Sequence, residues 1–222
     1  MRLNNRAIFG YKDKTIMSLE KDLLHYRLQL DEALTFQDFS LAEKIADLAL
    51  HLAEKHENLG EMFYFKAQLE MLEQNYTQAI IYLSRTVSIN TKDGAAFNDM
   101  ALCLTELGMI QEALLFFDKG ISVEPDYPNI YHNKGWLLSH LGHYSEAIAL
   151  FSKALSLDPQ RAVTYENLGF SLENLGRMEE AVAAYQKALD FVKPHYPGIR
   201  EEIQERMTKL RNKQRPRFSP EE

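Results

Sequence analysis

Apolar residues recur along this chain at helical spacing, and the recurrence is itself repeated. Over 129–141, Tyr131, Gly135 and Leu138 fall at i, i+4 and i+7, and over 145–157 Ile148, Phe151 and Leu155 fall at i, i+3 and i+7. That is the stripe of an amphipathic helix, so the spacing predicts two helices in succession. Gly142 lies between the two runs, where the chain must reverse and glycine takes a left-handed conformation at little cost. Pro159 ends the second run, because its ring removes the amide proton that a continuing helix needs.

At an offset of 34 residues the same letters return. Gly135, Gly142, Ala147, Phe151, Ala154 and Pro159 become Gly169, Gly176, Ala181, Tyr185, Ala188 and, one residue late, Pro194. In the other direction they become Ala101, Gly108, Ala113, Phe117, Gly120 and Pro125, and then Ala67, Ala79, Leu83 and Thr86. Small residues such as Gly135 and Ala147 let two helix backbones approach, and Phe151 fills the space beside them. A single helix pair cannot cover its own apolar face, so successive pairs must stack on a shared core.

The spacing of Tyr131, Gly135, Gly142, Tyr144, Ala147, Phe151, Ala154 and Pro159, and of Tyr165, Leu168, Gly169, Gly176, Ala181, Tyr185 and Ala188, resembles the tetratricopeptide repeat. The resemblance implies an all-α fold, a right-handed solenoid of stacked helix–turn–helix repeats with a C-terminal capping helix. Repeats are expected at 58–93, 94–127, 128–161 and 162–196. In the first of these, Thr86 and Thr91 replace a small residue and the proline, which leaves its exit turn less defined.

Upstream, Phe39, Ala42 and Ala49 keep the second-helix spacing, but Ala42 to Ala79 is 37 residues and Leu30 stands where a close crossing favours glycine or alanine. Residues 14–57 therefore read as a degenerate first repeat with a long leading helix, after an arm at 1–13. Downstream, Ile199, Ile203, Met207 and Leu210 form one narrow apolar stripe, as expected of a capping helix over 197–213 before a disordered tail at 214–222.

Composition adds limits. Twenty-five Lys and Arg against 32 Asp and Glu give a net charge of −7, which argues against a chain whose whole surface contacts nucleic acid. Six cations (Arg206, Lys209, Arg211, Lys213, Arg215 and Arg217) break this balance locally, and they read as a solvated helix end in preference to a handle for nucleic acid or an acidic partner, since no aromatic residues interleave them. The single cysteine, Cys103, cannot form an internal disulfide, and it reads as a small buried hydrophobe. There is no run of eighteen apolar residues and no apolar core in the first eighteen, so the chain is expected to be soluble, cytoplasmic and without membrane insertion.

No phosphate-binding loop, zinc-protease motif or paired CxxC occurs, and neither His51/His56 nor His140/His143 shares a helical face. No catalysis, metal or cofactor is expected. The surface left for function is the one that, by the family resemblance, lines a concave groove on the first helix of each pair. It comprises Tyr64, Phe65 and Gln68, then Asn98, Asp99 and Leu102, then His132, Asn133 and Trp136, then Glu166, Asn167 and Phe170. Asparagine amides there can pair with an extended peptide backbone, aromatic residues can anchor its side chains, and Asp99 with Glu166 favours a partner bearing basic residues. The expectation is a non-catalytic scaffold or adaptor that binds a protein segment. Self-assembly as a homo-oligomer and a secretion or assembly chaperone remain the alternatives.

Overall fold

The computed structural model describes residues 5–193 and 197–214, and every regular element among them is an α-helix. The chain divides into two compact units, 1–91 and 92–222. The first contains α1 (Asn5–Thr35), α2 (Phe39–Lys55), α3 (Leu59–Leu72) and α4 (Tyr76–Ile89). The second contains the pairs α5 (Gly94–Glu106) with α6 (Ile110–Val123), α7 (Pro128–His140) with α8 (Tyr144–Leu157), and α9 (Ala162–Asn174) with α10 (Met178–Phe191), followed by α11 (Pro197–Gln214). The fold is all-α, built of stacked helix–turn–helix repeats and finished by a longer terminal helix. α1 runs through residues 5–13, which were expected as a separate arm. Residues 1–4, 194–196, which include Pro194, and the tail from 215 lie outside the described residues.

Every helix pair is joined by the same three-residue turn. At the end of α7, Gly142 takes φ +84°, its amide donates to the Ser139 carbonyl, and the His143 amide donates to that of Leu138. Those two bonds satisfy carbonyls that a helix end leaves open, and they require a left-handed residue at the reversal. A Cβ on Gly142 would meet nothing within 4 Å, so the glycine is there for its backbone and not for space. Gly108 and Gly176 repeat this geometry, whereas Gln37, Glu57 and Gln74 take it with side chains, at φ 59°, 54° and 62°.

Longer helices, less one residue saved at the turn at Glu57, account for the 37-residue interval. α2 has 17 residues where α4, α6, α8 and α10 have 14, and α3 has 14 where α5, α7 and α9 have 13. The connection at 56–58 is three residues long, against four at 124–127 and 158–161. The gains of three and one and the loss of one leave three extra residues. α1 to α4 are therefore linked by one kind of turn throughout, with no proline-bearing connection between α2 and α3.

Within each pair the expected close crossing is present. A Cβ on Gly135 would lie 2.9 Å from Cε1 of Phe151 and 3.3 Å from the Ala147 carbonyl oxygen, and one on Gly169 would lie 2.9 Å from Cε1 of Tyr185. Ala147, Phe151, Ala181 and Tyr185 are fully buried. In the first unit Ala67 and Leu83 occupy the same positions and are also fully buried, so a slightly larger first-helix residue meets a smaller partner there. Leu23, Leu30 and Ala33 of α1 are buried, as are Ala42, Ile45, Ala46 and Ala49 of α2, so Leu30 is a core residue despite its bulk. Thr86 is buried with its hydroxyl on the carbonyls of Tyr82 and Gly60, which satisfies the polar group that replaces a small residue.

α11 closes the second unit. Ile203, Met207 and Leu210 are buried in one cluster with Leu172, Ala181, Ala184, Tyr185, Ala188 and Leu189, and Ile199 packs against its edge. Arg200 donates from Nη1 to the carbonyl oxygens of Leu189 and Val192, at 2.9 and 3.1 Å, and so completes the end of α10.

The left-handed turns set opposite expectations for two substitutions. Gly142→Ala forces a Cβ into that conformation and should lower stability by about 1 kcal/mol, while Gln74→Gly relieves it and should raise stability by roughly 0.5–1 kcal/mol. Urea unfolding of both variants checks the pair; equal signs would contradict the turn assignment.

Candidate functional site

In the second unit the first helices α5, α7 and α9 are tied to one another through side chains. Asn133 Nδ2 of α7 donates to Asn98 Oδ1 of α5 at 2.9 Å, and Asn98 Nδ2 donates to Asp99 Oδ1 at 2.9 Å. On the other side of α7, His132 Nδ1 and the Thr164 hydroxyl of α9 lie 2.9 Å apart, and the Ser139 and Ser171 hydroxyls are also 2.9 Å apart. The Ser171 hydroxyl donates onward to the Asn167 carbonyl. Polar groups buried between packed helices must be paired, and these pair across the repeat boundary.

This pairing sorts the residues expected in the groove. Tyr64, Phe65, Gln68, Asn98, Asp99 and His132 are buried, whereas Leu102, Asn133, Trp136, Glu166, Asn167 and Phe170 are half-buried. Tyr64 is covered from α1, whose Arg27 sits 3.5 Å above its ring centroid while Nε bonds Glu61 at 2.9 Å. Glu166 faces α11: burial raises its carboxyl, and the charge of Arg206 opposes that rise. The half-buried side chains that remain are thus concentrated on α7 and α9.

There, three rings adjoin, and a fourth, Tyr144, meets them from the start of α8. The centroid of Trp136 is 4.2 Å from that of His140; His140 is 6.5 Å from Phe170, and Phe170 is 6.4 Å from Tyr144, edge to face. Trp136 also packs on the cluster of Leu138, Ala147 and Phe151, which fixes its position. His140 Nδ1 is 2.9 Å from the Trp136 carbonyl oxygen. A carbonyl only accepts, so Nδ1 is the donor of this bond, and in the singly protonated tautomer Nε2 is left as an acceptor. His140 and Tyr144 were not among the expected groove residues. The signal was present in the sequence, since His140 lies four after Trp136 and so on the same helical face.

Other candidates have ordinary surroundings. Cys103 is buried, and that burial pushes its thiol up to about 12, far from a reactive thiolate. Arg206 pairs with Glu202 and Lys209 with Glu205, so these two cations serve the helix that carries them. Among the described residues no group of three or more His, Cys, Asp and Glu is placed to hold a metal, and no helix is long and apolar enough to cross a membrane.

Two profiles described as tetratricopeptide repeat match residues 128–161 and 162–191, which are α7–α8 and α9–α10 with their turns. Residues 128–191 thus match two tetratricopeptide repeats in sequence as well as in turn geometry and small-residue crossings, a fold that generally serves as a protein-interaction scaffold. No curated protein matches the sequence significantly. Similar solved structures include TTC0263, a thermophilic TPR protein of Thermus thermophilus, with 16% identity over 86% of this chain and 99% of that one at a TM-score of 0.66. Yeast Tom70 is similar at 20% identity over 99% of this chain and 46% of that one, also with a TM-score of 0.66. YrrB, described as a TPR protein with an unusual peptide-binding site, is similar at 18% identity over 89% of this chain and 97% of that one, with a TM-score of 0.54.

The buried imidazole gives a pH prediction. His132 lies against Thr164 and Phe151 with the Arg161 charge nearby; burial first and that charge second push its pKa down to about 3 from the ordinary 6.5. Between those values the unfolded chain binds a proton that the folded chain refuses, so stability falls as pH falls below 6.5. The loss from this group between pH 7.5 and pH 5 should be about 2 kcal/mol. In denaturant titrations, His132→Asn should remove that part of the pH dependence; an unchanged slope would contradict the neutral buried state.

Proposed function

We propose that the chain is an adaptor that binds an extended segment of a protein partner along the first helices of its second unit. The observation that carries this is the row of rings on α7 and α9, half-buried Trp136 and Phe170 with exposed His140 between them, beside Asn133 and Asn167, with Trp136 held in place from beneath by the Leu138, Ala147 and Phe151 cluster. Rigid aromatic side chains with a remaining exposed face supply most of the energy of many interfaces. Asn133 has given one amide proton to Asn98, which orients its carbonyl oxygen as an acceptor for a partner's backbone amide. Asn98, Asp99 and His132 act in this reading as the supports behind the contact surface. Carboxylates on the same helices favour a partner that carries basic residues.

A second reading, self-association, is favoured by Leu24 and Leu28, which are 57% and 63% exposed one turn apart on α1. The two readings separate on one residue. Trp136→Ala should weaken partner capture from the native cell by about 2 kcal/mol or more, and Asn133→Ala by roughly 1–3 kcal/mol, with the midpoint of thermal unfolding little changed. Intact capture by Trp136→Ala, or its unfolding, would move self-association ahead.

A further inference from the structure

The first helices of the second unit carry an uneven charge. α5, α7 and α9 contain four carboxylates, those of Asp99, Glu106, Glu166 and Glu173, and one cation, Lys134, which is bound to Asp118 of α6. Elsewhere the chain supplies its own cations to its aromatic faces. Arg27 covers Tyr64, Arg85 lies over Phe63, Lys119 over Phe116, Lys153 over Tyr131 and Lys187 over Phe191. Among the described residues no cation lies over Trp136, Phe170 or Tyr144, although these rings adjoin one another and keep part of their surface in solvent.

We propose that the strip formed by Trp136, His140, Phe170 and Tyr144 is the seat for an arginine side chain of the bound segment. This rests on the groove reading above and names the chemistry of its occupant. Ring faces carry the negative side of an aromatic quadrupole, and indole is the strongest of them. A guanidinium is planar and stacks on such faces, and it has five donors and no acceptor. His140 suits it, because in the tautomer that donates from Nδ1 to the Trp136 carbonyl the other ring nitrogen, Nε2, is left to accept from a donor. The three helices carry four carboxylates to one cation, and that cation, Lys134, is held by Asp118, so their overall potential favours a cationic side chain. The first unit shows the same chemistry built internally, where the Arg27 guanidinium lies on the Tyr64 ring and bonds a carboxylate on the same helix as that ring, Glu61.

Trp136 is the only tryptophan in the chain, so its emission reports this strip alone. The full chain is titrated with the blocked peptide Ser-Gly-Ser-Arg-Ser-Gly-Ser, with the same peptide carrying neutral citrulline in place of arginine, and with one carrying leucine. The arginine peptide should change the emission with a Kd at least about five-fold lower than that of the citrulline peptide, within the span of desolvated cation–π contacts. His140→Lys, which places a fixed cation in the strip, should reduce that ratio to about one while the melting curve is unchanged. Equal affinity for arginine and citrulline overturns the proposal. Emission changes with the leucine peptide alone overturn the arginine seat and leave the groove standing. No change with any of the three overturns both.

Discussion

The structure depends on two helix backbones coming close enough that only glycine or alanine fits between them. At Gly135 the space a methyl group would need is already taken by the Phe151 ring and the Ala147 carbonyl, and at Gly169 by Tyr185. Close approach buries the inner faces of a pair but leaves an outer apolar face that the pair cannot cover alone. Each pair therefore requires a neighbour, and the last requires a lid. α11 meets that requirement with Ile203, Met207 and Leu210 in the terminal cluster, and its Arg200 completes the end of α10.

Stacking in turn determines what remains for recognition. Packing α5, α7 and α9 side by side consumes the polar residues at their contacts: Asn98 with Asn133, His132 with Thr164, Ser139 with Ser171. Those bonds fix how neighbouring repeats sit, and they hold the neighbouring side chains in fixed positions. The rings on α7 and α9 lie just outside this paired layer, supported from below and exposed in part above. A surface of that kind has already lost most of its side-chain entropy before a partner arrives, which lowers the cost of binding.

Much of this was legible in the sequence, and for physical reasons. Helix period, the left-handed glycines and the small residues at crossings are local requirements, so Gly142, Gly135 and the stripe from Ile199 to Leu210 pointed directly to their roles. Two features were hidden because nothing local marks them. Gln37, Glu57 and Gln74 take the left-handed turn without glycine, so the turn between α2 and α3 and the longer α2 could not be read from residue type. Burial within the groove was hidden too, since Asn98 and His132 look like surface residues until the adjoining helix brings Asn133 and Thr164 to them. Tyr144 was missed because it joins the strip through Phe170 on another helix, whereas His140 was marked only by its spacing of four from Trp136.

The close crossing can be tested by the sign of one substitution in two backgrounds. In the parent chain, Gly135→Ala should destabilise by about 1 kcal/mol, because crowding against Phe151 outweighs the gain in helix propensity. In a Phe151→Leu background, which copies the Ala67 and Leu83 pairing of the first unit, the same Gly135→Ala change should stabilise by roughly 0.5–1 kcal/mol. Equilibrium unfolding of the four proteins in urea gives both numbers. A reversal of sign is the result expected of helices held at contact distance by that ring, and the same sign and size in both backgrounds would contradict it.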